Sequence, residues 1–119
     1  MKSKPIIIVT GNKNTIFFEI FFKFFKIKKY KSPLILIGDL NILKDKMNRY
    51  KFRKKIRLLN INDLGKSNIN NNNLNLINVS YNKISKKFEN NKSYLYVKNS
   101  FELAFKILKF GYSKKFING

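Results

Sequence analysis

Apolar residues fall along this chain in two kinds of stretch, short unbroken runs and longer segments with helical spacing, and the order of the two predicts an architecture. The first run, "KPIIIVTG", is a block rich in β-branched residues opened by Pro5 and closed by Gly11. It is apolar without alternation, the pattern of a strand covered on both faces, as in a parallel sheet. After "NKNT", the stretch Ile16 to Lys29 is apolar almost throughout, interrupted at Glu19, Lys23 and Lys26, which share one helical face. This predicts a core helix whose only wet edge is that stripe, with Thr15 as N-cap and Glu19 one turn ahead of Lys23 in the favourable orientation for an ion pair. A second apolar run, "SPLILIGD", enters through Pro33 and leaves at Gly38. Behind Asp39, a candidate N-cap, Leu40, Leu43, Met47 and Tyr50 recur at helical spacing.

The second half is read with the same two periods. "KKIRLLNI" predicts a third strand, and "NDLGKSNINNNN", residues 62–73, is a polar low-complexity segment that reads as a surface loop. In "LNLINVS" the alternation of Leu74, Leu76 and Val79 with asparagines predicts a strand with one exposed face, at a sheet edge. From Tyr94 to Phe110, Leu95, Phe101, Ala104, Phe105 and Leu108 have helical periodicity, and Gly111 stands where a helix C′ glycine belongs. "YSKKFING" then begins another strand. Strands alternating with helices predict a layered α/β/α architecture on a largely parallel sheet.

A chain of 119 residues is the size of one small domain, and 44% apolar residues with 12 Phe suit a packed core. The formal charge of +20 matches a nucleic-acid binder or a membrane-surface protein. A compositional cause competes with both: Lys far outnumbers Arg, Asn, Ile and Phe abound, and Ala104 is the only alanine, the bias of AT-rich codons. The lysines are spread along the whole chain rather than clustered, which favours that cause. A membrane span needs about 20 apolar residues, and the charges of the first helix interrupt its run well before that. The basic start has only a short apolar run and no small-residue cleavage site after it, so the chain is read as cytoplasmic.

With no Cys and no His, thiolate metal sites, disulfides and the commonest general base are excluded from these residues. Asp39, Asp45 and Asp63 are spread out beside caps and loops and form no acid/base pair. The turn "GNKNTIFFE" joins strand to helix where α/β proteins often hold phosphate, yet neither GxGxxG nor GxxxxGK[ST] fits it.

In this order, "KPIIIVTG" with "IFFEIFFK", then "SPLILIGD", then "YVKNSFELAFKILKFGYSKKFING", the chain resembles the amino-terminal third of the 4-hydroxythreonine-4-phosphate dehydrogenase family. That family's first strand runs into GDPAGIGPE; "GNKNTIFFE" keeps Gly11, Ile16 and Glu19 and replaces both inner glycines and both prolines. The resemblance implies the first part of a two-lobed, isocitrate/isopropylmalate dehydrogenase-like fold, with residues 1–119 in one lobe and the rest of the protein after Gly119. It implies NAD-dependent oxidation and decarboxylation of a phosphorylated hydroxy amino acid in pyridoxal phosphate biosynthesis, with a divalent metal, in a cleft completed across a homodimer. The family's substrate and metal ligands come later than these residues, so the piece alone is expected to be inactive and to bind neither NAD nor metal. Its contribution to the site is expected as a cleft wall at Gly11, Asn12, Asn14 and Asn118.

Two other readings compete: a decayed paralogue that keeps the fold without catalysis, and a small basic nucleic-acid module using Tyr30, Tyr50, Phe52, Tyr94 and Tyr96 between its lysines. Charge alone is expected to give only non-specific nucleic-acid binding.

Overall fold

The computed structural model describes residues 4–11, 16–27, 31–65, 68–81, 91–113 and 115–118. Five strands form one parallel sheet: β1 (Ile6–Val9), β2 (Leu34–Gly38), β3 (Ile56–Leu58), β4 (Leu74–Asn78) and β5 (Lys115–Asn118), in the order β3-β4-β2-β1-β5. Helices α1 (Phe17–Ile27) and α2 (Leu40–Arg49) carry the chain from β1 to β2 and from β2 to β3, and α3 (Lys92–Lys109) precedes β5. The chain therefore builds the sheet outward from β1 to β3, inserts β4 between β3 and β2, and returns past β1 to the opposite edge.

Alternation along the strands divides the core in two. Ile8, Leu34, Leu36, Leu74 and Leu76 face α1 and α2, meeting Phe18, Phe21, Phe22, Leu43 and Met47. Ile7, Val9, Ile35, Ile37 and Ile77 face the other way, against Ala104 and Ile107 of α3. This is the expected α/β/α layering, and the near-total burial of β1 and β2 explains their unbroken apolar runs. Each fully buried Leu or Ile of these strands contributes roughly 1.5–3 kcal/mol by leaving water.

Local signals account for the helix ends. Asp39 is the N-cap of α2, its carboxylate accepting from the Ile42 amide at 2.9 Å. At the other end of α2 the Phe52 and Lys51 amides donate back to Met47 and Asn48, and Lys51 takes φ 53°. The same arrangement closes α3, with Tyr112 donating to Ile107, Gly111 to Leu108, and Gly111 at φ 77°. Both are Schellman ends, one built on the expected glycine and one on a lysine.

Three expectations change. β4 is an interior strand, with Leu74, Asn75, Leu76 and Ile77 all buried. Asn75 is held there by its Nδ2, which donates to the Leu34 and Asn70 carbonyls at 3.1 and 2.8 Å, while its buried Oδ1 has no hydrogen-bond partner among the described residues; a polar letter does not mark a wet face. The edge on that side is β3 instead. In α3 the buried positions are Tyr96, Ser100, Ala104 and Ile107, whereas Phe105 is exposed and meets Phe101 and Phe116 beside β5. Small side chains at 100 and 104 let the helix approach the sheet, which a stripe of phenylalanines would prevent. Finally, Glu19 and Lys23 do pair at 3.4 Å, but Ile16, Ile20 and Phe24 are also exposed, so the outer face of α1 is wider and more apolar than one charged stripe.

Candidate functional site

Adjacent strands β2 and β4 lead to helices on opposite faces of the sheet, α2 on one and α3 on the other. Where the connections diverge in this way, an open α/β sheet leaves a crevice at the carboxyl ends of its strands, the usual place for a ligand. The residues at this end include Thr10 and Gly11 after β1, Gly38 and Asp39 at the end of β2, Asn78 at the end of β4 with Val79 to Tyr81 after it, and Asn118 at the end of β5.

The crevice is occupied by the chain's own side chains. Ladder pairing continues past the strands, with Thr10 N–H donating to Ile37 O and Val79 N–H to Gly38 O, so the three strand ends are held together. Asp39, 4% exposed, uses both carboxylate oxygens: Oδ1 accepts from Ile42 N–H and Oδ2 from Tyr81 N–H at 2.7 Å. Asn78 Oδ1 accepts from Leu40 N–H at 2.8 Å, so the start of α2 is capped from two strands. From α3, the Tyr96 hydroxyl accepts the Asp39 amide at 2.7 Å and is hydrogen-bonded to the Thr10 side chain. Its ring lies edge-on to Tyr81 at 5.4 Å.

Two features follow from this closeness. A Cβ on Gly38 would collide with Thr10 Oγ1 and stand 3.1 Å from the Tyr96 hydroxyl, so position 38 needs glycine for space. Burial pushes the Tyr96 phenol above its ordinary pKa of 10.0; hydrogen bonds from Thr10 and the Asp39 backbone act against that shift, and the Asp39 charge adds to it. Tyr96 is therefore a neutral hydroxyl that ties α3 to the sheet. Asp39 is a cap and a strap, with its lone pairs directed at backbone amides rather than at a ligand.

Of the four residues expected to line a cleft, Gly11 and Asn118 are brought to the same end of neighbouring strands. Gly11 is buried with φ 74°, two residues past Val9, and Val9 is the register partner of Asn118. Asn12 and Asn14 lie outside the described residues, as do Thr15 and Tyr30. The sequence reading missed Tyr96 and Tyr81 as members of this end; the only signal was the stripe Tyr96, Ser100, Ala104, in which a tyrosine is followed by small residues at one-turn intervals.

The aromatics proposed for nucleic acid do not form one platform. Phe52 is 4% and Tyr96 2% exposed, and Phe52 stacks on Phe22 at 4.5 Å, whereas Tyr94 is exposed on α3. Among the described residues no three His, Cys, Asp or Glu come together as metal ligands, and no helix is long and apolar enough to cross a membrane.

No known family profile matches the sequence, and no curated protein matches it. The fold does have solved counterparts. A 4-hydroxythreonine-4-phosphate dehydrogenase from Burkholderia phymatum superposes with a TM-score of 0.68 at 14% identity, over 92% of this chain and 34% of that one. A putative 4-hydroxythreonine-4-phosphate dehydrogenase from Salmonella typhimurium does so with a TM-score of 0.66 at 17% identity, over 98% and 37%. The chain thus has the fold of about one third of these dehydrogenases.

Proposed function

We propose that this chain is the amino-terminal part of an enzyme of the 4-hydroxythreonine-4-phosphate dehydrogenase type, and that the complete protein oxidises a phosphorylated hydroxy amino acid with NAD. The observation that carries this reading is coverage: a five-stranded parallel sheet matches such enzymes over nearly all of this chain and only a third of theirs. Two independent features, the motif remnant Gly11, Ile16 and Glu19 and the order of elements, point the same way.

The chain's own residues fit neither cofactor. Asp39, at the carboxyl end of β2, has both carboxylate oxygens engaged by backbone amides, and among the described residues no second and third carboxylate join it as a donor set for a divalent metal. A dinucleotide would need close backbone approach at a glycine-rich turn and an open crevice; here the turn lacks the inner glycines and Tyr96 fills the crevice. In this proposal the chemistry belongs to residues beyond this chain. On this reading the chain supplies one lobe, with Gly11, Asn12, Asn14 and Asn118 on one wall of the cleft in a cytoplasmic homodimer.

The test is the intact mass and activity of the native polypeptide from its source cells. A mass well above 14.1 kDa, with NADH formed from 4-phosphohydroxythreonine, is the expected result. A native species of 14.1 kDa that forms no NADH overturns the proposal and leaves a protein that keeps the fold without the reaction. Turnover by the 119-residue chain alone would overturn the assignment of the chemistry to other residues.

A further inference from the structure

A separate opening lies at the other end of the sheet. Residues at the carboxyl end of α1 and those leading into β2, β3 and β4 enclose a cleft of about 570 Å³, inside the range of about 300–1,000 Å³ usual for small-ligand pockets. Lys26, Lys31, Arg53 and Lys54 line it, and among the described residues no Asp or Glu does. Among the described residues, the ion pairs are Glu19 with Lys23 and Glu102 with Lys98, so none of these four cations has a carboxylate partner.

We propose that this cleft binds a small phosphoanion carrying two or more negative charges. This inference is independent of the dehydrogenase reading. Codon bias explains an abundance of lysine but not its fixed placement, and here placement is specific. Lys54 Nζ sits 5.1 Å from the Phe25 ring centroid, and Lys26 Nζ sits 5.8 Å from that of Phe52. These contacts hold two flexible chains against an aromatic wall. The opposite wall is held by hydrogen bonds: Asn71 accepts from Leu34 N–H at 2.8 Å and donates to Ser32 O at 2.9 Å, which fastens the loop before β4 to the start of β2.

Lys26 has a structural duty as well, since it stands in the last turn of α1 and offsets the negative carbonyl end of the helix. Lys31, Arg53 and Lys54 lie outside the helices and have no such duty. Four cations with no counter-charge in one partly enclosed space repel one another, and a multiply charged anion relieves that repulsion. The Arg53 guanidinium can meet phosphate oxygens with two parallel N–H donors, which makes phosphate a better match than a spherical anion. A nucleic-acid strand fits less well, because it requires exposed rings in series, while Phe52 is buried against Phe22.

Calorimetric titration of the chain with inorganic pyrophosphate tests this at about 0.15 M salt, where the Debye length is about 8 Å and diffuse charge is largely screened. One-to-one binding is expected. The double variant Lys26→Gln/Arg53→Gln should weaken it about tenfold or more. The control Lys106→Gln/Lys109→Gln removes the same charge from exposed positions on α3 and should change it by about twofold or less. Arg53→Lys, which keeps the charge and removes the fork, should fall between wild type and the double variant. All four residues to be replaced are exposed, and thermal unfolding of each variant confirms that it is folded. Equal weakening by the two double variants would assign the binding to net charge and overturn the proposal. Absence of binding overturns it too, as does binding of a single-stranded oligonucleotide with none of pyrophosphate, which would assign the surface to a strand.

Discussion

The two ends of the sheet have been built in opposite ways. At the carboxyl end, where this topology ordinarily leaves room for a ligand, Thr10, Gly38, Asp39, Tyr81 and Tyr96 are packed and hydrogen-bonded into a closed knot. At the amino end, four cations line an open cleft with no carboxylate among its described residues. The difference shows that topology marks where a crevice forms, while the side chains decide whether it is a site or part of the framework. The side-chain polar groups of Thr10, Asp39, Tyr81 and Tyr96 have partners within the chain, so the knot stabilises; among the described residues the cations of the cleft have no partner of opposite sign, so they are available to a ligand.

The sharpest way to break this contrast is Asp39→Ala. It removes the acceptor of two backbone amides, one at the start of α2 and one after β4. We expect a loss of about 2–4 kcal/mol, combining a lost cap with a buried unsatisfied N–H. Urea denaturation measures it, and a loss comparable to that of an exposed substitution would show that the carboxylate is not holding the two strands' connections together.

A smaller effect is expected from Tyr96→Phe, which leaves the Asp39 amide without its 2.7 Å partner and should cost about 1–3 kcal/mol. Its pH dependence identifies the hydroxyl. Because burial raises the phenol above 10.0, the folded state keeps its proton where the unfolded chain has begun to lose it. The folded state then binds more protons, so this contribution to stability is present below pH 10 and is lost as pH climbs past that value. Other groups titrate in the same range, so the readout is the difference between wild-type and Tyr96→Phe unfolding curves. That difference should shrink above pH 10, and a difference independent of pH would dissociate the hydroxyl from the knot.

The smallest expected change concerns the two Schellman ends. Lys51 occupies a left-handed conformation that Gly111 adopts at no steric cost. Lys51→Gly should therefore stabilise by about 0.5–1 kcal/mol, and Gly111→Ala should destabilise by about 1–2 kcal/mol. Thermal unfolding of both variants compares them directly; if Lys51→Gly is destabilising, the lysine side chain has a packing role that outweighs its backbone strain.

The elements legible in the sequence were those whose signal is local. β1 and β2 were visible as unbroken apolar runs, α2 through Asp39 and the spacing of Leu43 and Met47, and the end of α3 through Gly111. The reading failed where a long-range hydrogen bond reversed a local rule. Asn75 looked like the wet side of an edge strand, yet its amide reaches carbonyls on β2 and on the preceding loop, which allows it to be buried. The phenylalanines of α3 looked like its core face, yet the helix turns Tyr96, Ser100 and Ala104 inward because the space over the sheet admits small residues and one hydroxyl. Gly11 and Asn118, expected on a cleft wall, lie at the carboxyl end of neighbouring strands, but nothing in their neighbourhood disclosed that α3 closes the crevice beside them.

By itself the sequence determined the alternation of strands and helices, the parallel α/β class and the absence of thiol and imidazole chemistry. Each depends on residue type or on spacing within one element, and spacing of that kind records which side of an element is dry. Only the tertiary structure decided the order β3-β4-β2-β1-β5, the closure of the carboxyl-end crevice and the gathering of Lys26, Lys31, Arg53 and Lys54 around one cleft. Those features depend on which distant residues meet. A bond such as that from Asp39 N–H to Tyr96, 57 positions along the chain, leaves no periodic trace, because neither partner's neighbours need to change for it to form.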